Sequence, residues 1–172
     1  DIQPALDALL IDMAVIKMNR VVGNGTTDIN HPNLLSAYAI MEAAAEMVED
    51  RPTEENVESL LIAIGSMARK YSYTELLPII ELVPELNTFD DVVAGKFYEA
   101  PVIWAYATGI TTGAPENTFN PDGDLLRAQV VTMLWRAAGE PEVEAVNPFT
   151  DVEEKDFYYK AVLWAVSEGI TN

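Results

Sequence analysis

Apolar residues in the first half of the chain recur every three or four positions, the spacing that places them on one face of an α-helix. The predicted helices cover residues 4–22, 33–49, 54–71 and 75–82. The Pro- and Asn-containing segment 84–88 then interrupts the pattern. Residues 1–84 are therefore predicted to form a helical bundle or helical extension, and they resemble no family.

Local signals mark two of these helices. Thr53 is a candidate N-cap, and Glu54 and Glu55 would lie in the first turn after it, where acidic side chains complement the helix dipole. Pro78 would lie within the first turns of the short helix, where its missing N–H is tolerated.

The second half contains an internal repeat. Residues 89–112 and 149–172 align at an offset of 60 without a gap and are identical at 11 of 24 positions. The identities include Phe-x-Asp-Val at the start, Trp-Ala in the middle and Gly-Ile-Thr at the end. A fixed period indicates one supersecondary unit used more than once. Because the second copy stops at Asn172, the chain is predicted to be a piece of a longer protein.

Each repeat is predicted to be helix, loop, helix, which makes the chain all-α. The first copy has helices over 98–108 and 126–138, with Gly109 ending the first and Asp124 as a candidate N-cap of the second. Phe119 is predicted to anchor the loop between them. Residues 140–148 form an acidic linker bounded by proline, and 158–168 repeats the first helix.

The loop contains Phe119-x-Pro121 and leads into Arg127-Ala128-Gln129. Together with the Phe-x-Asp-Val opening and the Gly-Ile ending, this order closely resembles the S-layer homology (SLH) repeat. The resemblance covers 89–139 as one full copy, within a predicted segment 85–139, and 149–172 as a truncated one. Leu126 stands where the family has Thr, and Gln129 stands where it has Glu.

The resemblance implies a non-enzymatic module of a secreted bacterial surface protein that attaches to cell-wall polysaccharide. SLH repeats usually act in threes around a pseudo-threefold axis, with glycan in the grooves between them. The implied ligand is the pyruvate-bearing secondary cell-wall polysaccharide, the implied location is the extracellular cell wall or S-layer, and no cofactor is implied. The Arg that matches Arg127 is associated in the family with recognising this negatively charged glycan.

Three residues are candidates for glycan binding. Arg127 begins a helix, where the dipole disfavours a cation, so it is either paired with a carboxylate or available to a ligand. Asp91, with Asp151 at the same repeat position, is a candidate partner of that Arg or a helix cap. Trp104, repeated as Trp164, either packs in the core or offers a platform for a sugar ring.

Composition narrows the alternatives. The net charge of −18 disfavours nucleic acid and anionic lipid, both of which select basic surfaces. There is no Cys, and no apolar run approaches the ~20 residues of a membrane span. Asn120-x-Asp122-x-Asp124 lacks the Gly and Glu that a calcium loop requires, and His31 stands alone. No catalytic or metal-binding residue is predicted.

Two other functions remain open. Residues 1–84 could be a module that binds a protein partner, with the repeats as its anchor, or the chain could belong to a wall-anchored hydrolase whose catalytic region lies elsewhere. The apolar face of helix 158–168 would lack its partner helix. It is predicted to be covered by residues 1–84 or by a second molecule, through self-association or a protein partner.

Overall fold

The computed structural model describes Gln3, Leu6, residues 32–68 and residues 71–172. Six α-helices occur in these described residues, which confirms the all-α prediction. They are α1 (Pro32–Asp50), α2 (Glu54–Met67), α3 (Tyr73–Leu82), α4 (Glu99–Ala107), α5 (Arg127–Ala137) and α6 (Tyr159–Ser167). Apart from Leu6, the helix predicted over 4–22 lies outside the described residues, and so does His31.

Hydrogen bonds at two helix starts show how local sequence sets the boundaries. Thr53 caps α2 as predicted, because its hydroxyl accepts from the Asn56 N–H at 3.3 Å. At α3 the Glu75 carboxylate accepts from the Ser72 N–H at 2.7 Å, so the helix starts at Tyr73, earlier than predicted. Pro78 consequently lies in the second turn of α3, within the predicted first turns but beyond the four N–H groups that have no partner inside a helix.

The chain forms two compact units. The first contains the described residues up to Thr108 together with Gly113–Pro121, and the second contains Gly109–Thr112 and Asp122–Asn172. Helix α4 therefore belongs to the first unit, and helices α5 and α6 belong to the second. The domain boundaries predicted from the sequence stay a prediction.

The core of the first unit is built from the apolar faces of α1, α2 and α3, and α4 completes it. Its fully buried large side chains are Met41, Val48, Leu60, Ile64, Met67, Leu76, Ile79, Ile80 and Leu86. Ile103 of α4 joins this cluster, and Trp104 packs against it. Gly65 of α2 allows the close approach of α4, since a Cβ at this position would overlap the carbonyl oxygen of Ala107.

The two copies of the repeat fold alike. Helices α4 and α6 have the same bounds at the 60-residue offset, and each is followed by a glycine with positive φ, Gly109 and Gly169. The sequence predicted Gly109 in this role. Before each helix an asparagine folds the chain back on itself. The Asn87 amide accepts from the Phe89 N–H at 3.3 Å and donates to the Val92 carbonyl at 2.7 Å.

Asn147 makes the same two hydrogen bonds, to the Phe149 N–H at 3.0 Å and to the Val152 carbonyl at 2.7 Å. The sequence comparison began at Phe89 and missed this pair, although the two asparagines are themselves 60 residues apart. The repeated fold therefore begins at Asn87 and Asn147.

Helices α5 and α6 pack against each other in the second unit. The five residues from Ala161 to Ala165 are buried, and Trp164 is only 9% exposed. The apolar face of α6 is thus covered, as expected. Within this unit the cover comes from α5. The expected cover from residues 1–84 or a second molecule stays a prediction.

Candidate functional site

Arg127 is the first residue of α5, and the backbone before it explains why. Leu126 is the extended N-cap, and the Gln129 side-chain oxygen accepts from its N–H at 2.8 Å. Asp124, predicted as the cap, lies two residues before Leu126, which is a correction. The Thr and Glu that the family has at positions 126 and 129 would form a reciprocal capping box. Gln129 still makes one of the two hydrogen bonds of this box, to the N-cap N–H. The second bond is missing, because the Leu126 side chain has no oxygen that could accept it.

The Arg127 guanidinium is exposed, and among the described residues its hydrogen-bond partner is a neutral hydroxyl. Its Nη2 donates to the Thr171 hydroxyl at 3.2 Å, so the start of α5 meets the Gly-Ile-Thr end of the second repeat. In the described part of this unit no carboxylate lies within 4.0 Å of the guanidinium, and the first turn of α5 contains no acidic residue. A positive charge at the positive end of a helix dipole, left without an anion, favours an anionic ligand.

Asp91 lies in the first unit and holds the loop of its own repeat. One carboxylate oxygen accepts from the Phe119 N–H at 2.8 Å and the other from the Asn120 N–H at 2.6 Å. The Phe119 hydrogen bond is the main cause that lowers the pKa of Asp91 below its ordinary value, and the Asn120 bond adds to it. Asp91 therefore closes a loop across 28 residues instead of capping a helix.

Phe119 reinforces this loop closure with apolar contacts. Its ring packs against Phe89 at 5.9 Å between centroids, in a small cluster with Val92 and Val102. This confirms the predicted anchoring role of Phe119. Gly113 is required nearby, because a Cβ there would overlap the Phe89 ring.

Trp104 lies half-buried on the inner side of α4. Its ring meets Tyr73 edge to face, with centroids 5.9 Å apart and planes at 75°. The indole N–H is buried, and no acceptor among the described residues lies within hydrogen-bonding distance. These contacts favour the packing interpretation of Trp104. Asp91 and Trp104 belong to the first unit, and Arg127 belongs to the second.

Thr171 was missed as a site residue by sequence reasoning. The signal was available, since Thr171 and Thr111 occupy the same repeat position after Gly-Ile. Which Thr would meet Arg127 depends on how α5 packs with α6, and the repeat alone does not specify that packing.

No group of three or more His, Cys, Asp or Glu side chains among the described residues could hold a metal ion. None of the described helices has the length and apolar character needed to cross a membrane.

A family model described as the S-layer homology domain matches residues 88–131 and 148–172. The C-terminal half of the chain thus contains one full and one partial S-layer homology repeat. No curated protein and no solved structure matches the chain. S-layer homology domains bind cell-wall glycans in general and serve as cell-surface anchoring modules.

Proposed function

We propose that this chain is part of a non-enzymatic, extracellular surface protein that attaches to secondary cell-wall polysaccharide, and that the ligand is the pyruvate-bearing form. The observation that supports this proposal is the Arg127 guanidinium, exposed at the start of α5 and without a carboxylate partner in its described unit. A planar guanidinium can contact both oxygens of a pyruvate carboxylate at once.

The three candidate residues have different parts in this proposal. Arg127 contacts the glycan directly. Asp91 acts through the loop that it holds, because both of its oxygens are already occupied by backbone N–H groups. Trp104 acts through the position of α4, because its ring packs against the core and against Tyr73 and its indole N–H is buried.

The test measures binding of the purified protein to immobilised pyruvylated wall polysaccharide by surface plasmon resonance. We expect Arg127→Ala to weaken binding by about ten- to hundredfold, which corresponds to the loss of roughly 1.5–3 kcal/mol from one charged hydrogen-bonding group. Arg127→Lys restores the charge but not the two-pronged contact, so it should recover only part of the affinity.

Lys155→Ala is the matched control, because it removes one positive charge from an exposed side chain of the same unit. Lys155→Ala should leave binding unchanged. Polysaccharide from which the pyruvate has been removed should bind the unmodified protein and Arg127→Ala equally weakly. If Arg127→Ala binds normally and circular dichroism shows that its fold is intact, Arg127 does not contact the glycan.

Self-association stays a prediction. Leu126, Val130 and Leu134 form an exposed apolar stripe along α5, and this stripe is the surface that such an association would use. Among the residues that the structure describes, no contact favours residues 1–84 as a protein-binding module or the chain as part of a hydrolase.

A further inference from the structure

The second unit contains a cleft of about 450 Å³ that the proposed glycan contact does not use. Three aromatic side chains line it: Trp135 from the end of α5, and Phe157 and Tyr159 from the start of α6. The Trp135 indole donates to the Pro141 carbonyl at 3.0 Å, which fixes the ring against the linker. Phe157 is 67% exposed and meets Tyr158 edge to face at 5.0 Å.

The charges in this cleft are mainly negative. Three carboxylates line it, Glu142, Glu154 and Asp156, against the single ammonium group of Lys160. The Lys160 Nζ and the Glu142 Oε1 form a long ion pair at 3.5 Å, and both of these side chains are largely exposed. The cleft therefore combines aromatic faces with an excess of two negative charges, in a chain whose net charge is −18.

The cleft lies away from Arg127. Arg127 and Thr171 mark the junction between the start of α5 and the residues that follow α6. Trp135 and Tyr159 lie at the opposite ends of these same two helices. An anionic polymer held by Arg127 gains nothing from the acidic cleft, so the two surfaces select ligands of opposite charge.

Comparison with the first repeat shows that this chemistry is particular to the second. Phe157 has an equivalent in Phe97, but the polar lining changes at the 60-residue offset. The changed pairs, first copy before second, are Ala94 and Glu154, Lys96 and Asp156, Glu99 and Tyr159, and Ala100 and Lys160.

One of these changes has a structural explanation. In the first copy Glu99 accepts from the Gly95 N–H at 2.6 Å and so holds the turn before α4. In the second copy Asp156 takes over that task, accepting from the Glu153 N–H at 2.8 Å. The position of Glu99 is thereby released for Tyr159, which lines the cleft.

We propose that this cleft is a docking site for a basic, extended segment of a partner protein, in which a Lys or Arg side chain lies against the aromatic rings. A cation over an aromatic face is attracted by the negative potential of the ring, and carboxylates around the rim add to that attraction. Charge complementarity favours this occupant, because the rim carboxylates outnumber the ammonium group by three to one.

The experiment titrates the chain with a tetralysine peptide, blocked at both ends, by isothermal titration calorimetry. A tetraglutamine peptide of the same length and a neutral chitin trisaccharide are titrated beside it. We expect tetralysine to bind, more weakly at higher salt, and the other two probes not to bind. Phe157→Ala should weaken tetralysine binding by about two- to thirtyfold, the range between an exposed and a desolvated cation–aromatic contact. Glu154→Gln should also weaken it, because one rim carboxylate is lost.

Matched controls separate the cleft from general attraction to an acidic protein. Phe97→Ala removes the equivalent exposed ring of the first repeat, and Glu168→Gln removes one carboxylate at the other end of α6. Both should change tetralysine affinity by less than about twofold. Lys160→Ala should strengthen tetralysine binding, because it removes the competing ammonium group from the cleft.

Three results would overturn the proposal. Equal losses in the cleft and control variants would mean non-specific attraction. Binding of the trisaccharide in place of tetralysine would make the cleft a carbohydrate site. If none of the three probes binds, the cleft is not a docking site. None of these results depends on Arg127. The cleft proposal can therefore fail or succeed independently of the glycan proposal.

Discussion

The two copies of the repeat have the same local fold and different surroundings. In both, an asparagine closes the opening turn, an aromatic pair precedes the helix, and a glycine with positive φ follows it. Helix α4, however, packs on α2 and α3 in the core of the first unit, whereas α6 packs on α5.

This difference is visible at the repeated tryptophan. Trp104 is half-buried, and its indole N–H has no hydrogen-bond partner among the described residues, while Trp164 lies in a run of five buried residues and is 9% exposed. The same residue at the same repeat position therefore has a different energetic role in each copy. Local hydrogen bonds reproduce the helix, and the neighbouring helices decide how much of it is buried.

The largest expected effect separates the two tryptophans. Trp164→Ala should lower the free energy of unfolding by about 3–5 kcal/mol, because it empties a buried site between two helices. Trp104→Ala should cost less, since part of its ring is already solvated and its N–H is unpaired. Urea denaturation followed by circular dichroism measures both. A larger loss for Trp104→Ala would contradict the assigned difference in burial.

A smaller effect should be nearly equal in the two copies. Asn87→Ala and Asn147→Ala each remove the two hydrogen bonds that the opening turns share, which at about 0.5–1.5 kcal/mol per bond predicts a loss of roughly 1–3 kcal/mol. Asn87→Ala also removes a long hydrogen bond to the Glu99 carboxylate, at 3.4 Å, and should therefore cost slightly more. Asn172→Ala, at an exposed position, is the control and should be near neutral. Denaturation curves would test the equality, and a loss confined to one copy would show that the turn depends on its surroundings.

The smallest effect concerns pH and should occur in the first copy alone. Because the pKa of Asp91 is lowered by its backbone hydrogen bonds, its stabilisation of the loop is present at neutral pH. That stabilisation is lost as the pH falls from about 4, the ordinary pKa of an aspartic acid, down through the lowered pKa of Asp91 in the folded protein. Hydrogen exchange of the Phe119 and Asn120 amides measures the opening of the loop.

Asp91→Asn should speed the exchange of these two amides at neutral pH, since an amide side chain offers one acceptor oxygen instead of two. Asp151→Asn, at the equivalent position of the second copy, should leave them unchanged. Unaltered protection in Asp91→Asn would mean that the Phe89 and Phe119 contact alone holds the loop.

The sequence was sufficient for features that depend on near neighbours. The apolar spacing gave the interior of α1 and α2, Thr53 was identifiable as a cap, and the 60-residue offset predicted that α6 would match α4. The family resemblance followed from residue order alone, and the family match confirms it. These features succeed because capping and helix periodicity act over three or four residues.

Tertiary structure decided what depends on distant residues. Asp91 meets Phe119 and Asn120 across the loop, Arg127 meets Thr171 across 44 residues, and the cover of α6 comes from α5. Local sequence leaves each of these residues several possible partners. The choice among them is made when apolar helix faces pack, because burying those faces contributes more free energy than any single polar contact.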